Sequence, residues 1–241
     1  MEKKIDYYDL FAVFIPGVIA MLMLLLIANK LDKDYIDLIL KISIGSAVFV
    51  LVAIYVFGEI IQSFGKIVQK VFWFPFGGMP TVWIVQREPN KRWNKSIFFL
   101  RSGNFSLEQK IISEHQRRQI QLWMHQCKLE MNVFNLKAAF SSMQTIAFRS
   151  NKEWITIMLA KANMFRGFVV VALLSIISDC TYNQSWRWYM QIPLLVFFII
   201  SCCRYVTFSR NYAKKFYSSF TDELSRTSLP SHGSLPLPKG V

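Results

Sequence analysis

Two long apolar runs near the start of the chain, two more near its end and a long, mostly polar stretch between them constrain the fold more than any motif does. Leu10 to Ala28 is apolar throughout, with Pro16-Gly17 inside it, and at about 1.5 Å per residue it covers the ~30 Å hydrocarbon core of a bilayer. Ile36 to Phe57 carries one charge, Lys41, near an end where the stem stays in lipid and the ammonium reaches the interface. Gly167 to Ile177 extends back through Met164 and Phe165 and on to Tyr182, with Arg166 and Asp179 close to its ends. Tyr189 to Val206 has only Arg204 at its far end, and Trp186, Trp188 and Tyr189 sit where an aromatic belt belongs. The pattern predicts an all-α integral membrane protein with four transmembrane helices, at about 10–28, 36–57, 164–182 and 189–206, and a cytosolic helical region between spans two and three.

Basic residues near span ends resist translocation, so their placement sets orientation. Of the 28 Lys and Arg, sixteen fall in residues 63–166 and six lie from Arg204 onward, whereas the segment 183–188 holds one. Lys30, Lys33 and Lys41 are balanced by Asp32, Asp34 and Asp37. Both termini and the central region are therefore expected in the cytosol, and the two short loops outside. The first run reads as an uncleaved span rather than a secretory signal, because it is too long, Asp6 and Asp9 flank it, and Ala28-Asn29-Lys30 is a poor cleavage site. The net charge of +13 is accounted for by this topology and by attraction to anionic lipid, so direct nucleic-acid binding is not expected. Cys127, Cys202 and Cys203 fall on the cytosolic side and only Cys180 approaches the outer face, which predicts no structural disulfide.

Residues 1–62 form an N-terminal transmembrane hairpin in this reading, 63–163 the cytosolic region, 164–206 a C-terminal transmembrane hairpin, and 207–241 a short basic helix with a disordered tail from about residue 225. Ile5, Tyr8, Phe11 and Phe14 recur at helical spacing before Pro16-Gly17, as in an interfacial approach helix with a kink at that pair. Ile60, Ile61, Phe64, Ile67, Val68 and Val71 carry the second span's helix onward to about Phe72. Pro75, Gly77-Gly78 and Pro80 then break it. Thr81 to Gln86 and Ser96 to Leu100 are β-prone and suggest a small hairpin. Ser106-Leu107-Glu108-Gln109 has the pattern of a capping box, from which a helix without Pro or Gly is expected to run to about Phe140. A second such pattern, Ser150-Asn151-Lys152-Glu153, opens a helix that feeds into span three. Gly45 and Ala53 are small residues that allow close helix approach in span two.

Enzyme chemistry has no visible carrier. His115 and His125 are ten residues apart, without the i, i+4 pairing that lets one helix face bind a metal, and no Ser-His-Asp set, phosphate loop or CxxC pair appears. No cofactor and no metal are expected. The ionisable groups at membrane depth say more, since a charge near hydrocarbon needs a partner or water. Glu59, with Gln62 beside it, closes span two on the cytosolic side, Arg166 opens span three there, and Arg204 closes span four there. They are candidates for a charge latch at the inner mouth of an oligomeric pore; interhelical pairing or snorkelling that merely fixes packing is the plainer reading. Few polar residues lie within the spans, which argues against a coupled transporter and favours self-association over transport by a monomer.

Asp9-Leu10-Phe11 leading to Phe14-Ile15-Pro16-Gly17, Gly58-Glu59-Ile60-Ile61-Gln62-Ser63-Phe64-Gly65, Phe165-Arg166-Gly167 and the stretch from Arg204 through Phe216 resemble small multi-pass membrane proteins of bacterial anti-phage defence loci. The resemblance implies an abortive-infection effector of the bacterial inner membrane, homo-oligomeric and held silent by a cytosolic regulatory partner until a trigger releases it to depolarise the membrane. A non-toxic membrane anchor that recruits a soluble enzyme or nucleoprotein is the alternative.

Overall fold

The computed structural model describes residues 8–27, 44–74, 79–83, 112–129, 133–182 and 188–227. Every element among the described residues is helical: a π-helical stretch Asp9–Phe14, then α1 (Ile15–Ile27), α2 (Ile44–Trp73), α3 (Pro80–Trp83), α4 (Glu114–Gln126), α5 (Val133–Tyr182) and α6 (Trp188–Thr227). Three of these helices are long and apolar enough to cross a membrane, in Ala47–Trp73, Ala138–Thr181 and Gln191–Thr227, and Asp9–Leu24 is a shorter apolar helix. Among the described residues the protein is thus all-helical and of membrane character. It divides into two compact units, one of Met1–Val71 with Leu159–Phe208, the other of Phe72–Met158 with Ser209–Val241.

In the first unit α1, α2 and α5 pack around Ala20, Ile61, Val170 and Val171, with Ile19, Met23 and Val68 against them. Two glycines bring α1 and α2 into backbone contact. A Cβ on Gly17 would run into the Ile54 carbonyl, and one on Gly58 into the Val13 carbonyl, so only hydrogen fits at either place. Small residues at a crossing let apolar helices gain dispersion contact where lipid offers no hydrophobic drive. These glycines mark a close approach among the described residues. Phe165 stacks on Phe208 with centroids 5.3 Å apart, which ties α5 to α6. The far side of α2 is left open: Val48, Phe49, Val52 and Val56 are each about half exposed or more, as side chains facing lipid are.

The second unit has a core of its own. Trp123 meets Phe220 edge-on at 5.3 Å and Phe140 stacks on Phe216 at 4.8 Å, while Ile120, Met124, Met143 and Tyr217 are wholly buried. Polar bonds fasten its helices: Gln119 Nε2 donates to Ser225 Oγ at 2.9 Å, Ser150 Oγ to the Ser219 carbonyl at 3.2 Å, and Tyr217 Oη to the Thr81 carbonyl.

Several local expectations change. Thr81 does not open a strand. Pro80, whose fixed φ suits a first helical turn, begins the short helix α3, and the remainder of the expected hairpin lies outside the described residues. The Ser106 capping box also lies outside them. The helix that is described starts at Ser113, whose Oγ accepts from Gln116 N at 3.1 Å while Gln116 Oε1 accepts from Ser113 N at 3.0 Å, a reciprocal cap of the same kind. That helix does not continue to Phe140. Leu129 N bonds the Met124 carbonyl and Lys128 N the His125 carbonyl, both at 2.9 Å, with Lys128 at φ 56°; these two bonds and the left-handed residue form a Schellman stop. Ser150 is no cap either, for its hydroxyl donates to the Ala147 and Ser219 carbonyls. Asn151, at φ −151° and ψ 44°, interrupts α5 beside it. The break expected at Pro16-Gly17 takes the form of the π-helical stretch before it, and residues 225–227, expected in the tail, still belong to α6. α2 runs to Trp73, one residue past the expected end.

Candidate functional site

Pro16 has no N–H, so the carbonyl of Ala12 four residues earlier loses its α-helical donor. The chain ahead of it is wound with i→i+5 closure, Ile15 N bonding the Leu10 carbonyl. A carbonyl left bare in an apolar surrounding costs roughly 1–3 kcal/mol or more. Gln62 of α2 fills the vacancy: its Nε2 donates to the Ala12 carbonyl and also to the Asn163 carbonyl of α5, the latter at 3.2 Å. The other end of the same amide accepts from Arg166, Nη2 to Oε1 at 2.6 Å. Arg166 Nη1 reaches Gln69 Oε1, and Asn163 Nδ2 donates to Tyr8 Oη at 3.1 Å. Three segments of the first unit, the π-helical stretch, α2 and α5, are joined through one glutamine.

The spacing explains the convergence. Gln62 and Gln69 are seven residues apart on α2, and Asn163, Arg166 and Gly167 are at i, i+3 and i+4 on α5, so each set occupies one helix face. Gly65 and Gly167 leave the room: a Cβ on Gly65 would come within 2.9 Å of Arg166 Nε, and one on Gly167 within 2.8 Å of the Pro16 ring and 3.1 Å of Gln62 Nε2. Arg166, Gln62 and Asn163 are all buried, at 7 %, 6 % and 8 % exposure.

The electrostatics are uncommon. A guanidinium does not deprotonate in a protein, and among the described residues Arg166 has no carboxylate partner. Two neutral amide oxygens hold it, while its Nε, also buried, has no hydrogen-bond partner among the described residues and lies beside Gly65. A buried cation met only by dipoles recovers less of its desolvation cost than one in an ion pair.

Of the four residues singled out for a latch, the structure joins Gln62 and Arg166. Glu59 and Arg204 are exposed. Glu59 takes a hydrogen bond from Tyr55 one turn earlier on its own helix, and no ion pair among the described residues connects Glu59 to Arg166. Pro16 and Gly17, the candidate kink, free the Ala12 carbonyl and make the close contact with α2. Sequence reasoning missed Gln69, Asn163, Tyr8, Gly58, Gly65 and Gly167; the seven-residue spacing of two glutamines inside an apolar helix was the available signal. A second buried polar group, Asp179 at 2 % exposure, takes a bond from Gln191 Nε2 at 3.4 Å.

No family model, curated protein or solved structure matches this chain. What the site can do follows from its chemistry alone: it offers donors, a relay amide and one fixed positive charge, and so it holds helices in register and resists or permits their separation.

Proposed function

We propose that the chain is a four-span protein of the bacterial inner membrane, its termini and central region in the cytosol, acting in self-associated form as an effector of anti-phage defence. In this reading a trigger relayed by a cytosolic regulatory partner opens the seam between α2 and α5 and depolarises the membrane. The observation that carries it is Arg166, a full charge buried among apolar helices and held by the neutral amides of Gln62 and Gln69, with no carboxylate partner among the described residues. Such a residue is functional by default, since a charge in that setting costs several kcal/mol. Separation of the seam returns water to the guanidinium and recovers that cost, so the closed state is held by packing and by the Gln62 bridge while its charge favours opening. In this reading the site acts as a latch with stored electrostatic work.

The test is membrane potential, read by a dye in bacteria producing the chain from a tight promoter, alone and with its genomic neighbours, before and after phage infection. Depolarisation that the neighbours suppress until infection is the expected result. An unchanged potential under every condition, with the protein confirmed in the membrane, overturns the reading. It then supports a membrane anchor that recruits a cytosolic partner, the reading that the separately cored second unit, with Trp123, Phe216 and Phe220 at its centre, favours.

A further inference from the structure

Most buried or half-buried cations of the chain have an evident place. Arg117 pairs with Glu114 at 3.2 Å, Lys161 lies 5.9 Å over the Phe208 ring, and Arg166 is held by Gln62 and Gln69. Lys214 and Lys215 differ. With Asn211 and Ser218 they line a shallow, widely open groove of about 230 Å³ in the second unit, and among the described residues neither ammonium is paired with a carboxylate. The four positions follow the i, i+3, i+4, i+7 register of one helix face, so the groove is a property of α6 itself.

Its donor set is specific in kind. Two ammoniums bring three donors each and no acceptor, the Asn211 amide adds an NH₂, and the Ser218 hydroxyl adds another O–H. Lys214 and Asn211 are exposed and Lys215 and Ser218 half-buried, so charge lies at the rim and the hydroxyl deeper. Ser218 Oγ donates to Asp222 Oδ2 at 3.4 Å, a bond longer than the ordinary range, so the hydroxyl is only weakly engaged. Several converging donors with two fixed positive charges match a tetrahedral oxyanion with several acceptor oxygens. The sequence around the groove narrows the source: the apolar stretch of α6 ends at Val206, and Lys214 is eight residues on, within the reach of a headgroup layer for a lysine side chain. Basic residues just past an apolar span draw acidic headgroups.

We infer that the groove of Asn211, Lys214, Lys215 and Ser218 binds a phosphate group, either the phosphodiester of an anionic lipid headgroup or a soluble phosphate. This site is separate from the Arg166 network and does not rest on the function proposed above.

The experiment is native mass spectrometry of the full chain in detergent with added short-chain phosphatidylglycerol, phosphatidylcholine or inorganic phosphate. The wild-type chain is compared with Lys214→Gln/Lys215→Gln and with a charge-matched control, Lys66→Gln/Lys70→Gln; circular dichroism checks that each retains its helix content. Phosphatidylglycerol adducts are expected on the wild type and the control, weakened about thirtyfold in the groove variant at roughly fivefold per lysine. Adducts with inorganic phosphate that depend equally on Lys214 and Lys215, without a preference for the lipid, support the site and assign it a soluble ligand. Equal weakening in the two double variants reduces the effect to net charge and overturns the proposal, as does binding that none of the substitutions changes.

Discussion

Gly58 and Gly17 decide how near two apolar helices can come, because each stands where a methyl group would meet a carbonyl of the other helix. Backbone cannot yield as a flexible side chain does. Gly58→Ala is therefore expected to lower stability by about 1–3 kcal/mol, the ordinary cost of overpacking a close contact, seen as a lower thermal midpoint in detergent. Gly65→Ala should cost less, since its obstacle is the Arg166 side chain rather than main chain. At Cys127, half-buried at the end of α4, burial pushes the thiol above its ordinary pKa of 9.0. The neutral form is thus favoured in the folded state. The contribution to stability is present below pH 9.0 and is lost as the pH rises through the folded value. Alkylation by iodoacetamide should be slower on the folded chain than on the urea-unfolded chain at pH 8, and the difference should narrow as pH increases.

Among the helices, α4 shows how an end can be set without the usual residue. The left-handed position after its last turn is occupied by Lys128 at φ 56°, where an L side chain costs roughly 1–2 kcal/mol and glycine nothing comparable. Lys128→Gly should raise the unfolding midpoint by an amount equivalent to about 1 kcal/mol, the greater chain entropy of unfolded glycine offsetting part of the gain; a lower midpoint would show that the Lys128 side chain contributes more than its strain costs. Absence of glycine from this stretch is what made α4 and the first half of α5 read as one helix. Asn151 has a similar lesson. Its surroundings contain a capping pattern, yet Ser150 spends its hydroxyl on two carbonyls, one from α6. A cap and a back-bond use the same side chain, and only the neighbour's presence decides between them.

For the molecule as a whole, the question is what holds a charged side chain among apolar helices. Arg166→Met removes the charge and keeps an apolar stem; on the proposed function the closed arrangement then loses its electrostatic drive to open, and triggered depolarisation should fall at least tenfold, the equivalent of about 1.4 kcal/mol. Gln62→Ala removes the acceptor at Nη2 and bares the Ala12 carbonyl, so it should raise basal depolarisation with no trigger present. Opposite changes from two substitutions in one network separate a latch from plain packing, in which both variants lose membrane-inserted protein and neither depolarises. Immunoblots of membrane fractions read the protein level independently of the dye.

The sequence by itself determined the helical class, the membrane character and the approximate places of three long apolar helices, because hydropathy and helical period are local: a run of Val, Ile, Leu and Phe has few other ways to satisfy its backbone in lipid. It also pointed to Pro16, Gly17, Gln62 and Arg166. Which polar groups meet was decided by tertiary structure. Glu59 and Gln62 are three residues apart, yet about 60° around the helix separates the exposed carboxylate from the buried amide. The partners of Arg166 are two glutamines on a helix about a hundred residues earlier because Gly65 and Gly167 let α2 and α5 come close enough. Register between distant segments is a sum of many small packing choices, and no window of sequence contains it. The missing N–H of Pro16 is legible in one residue; the side chain that answers it becomes visible only when the helices are packed.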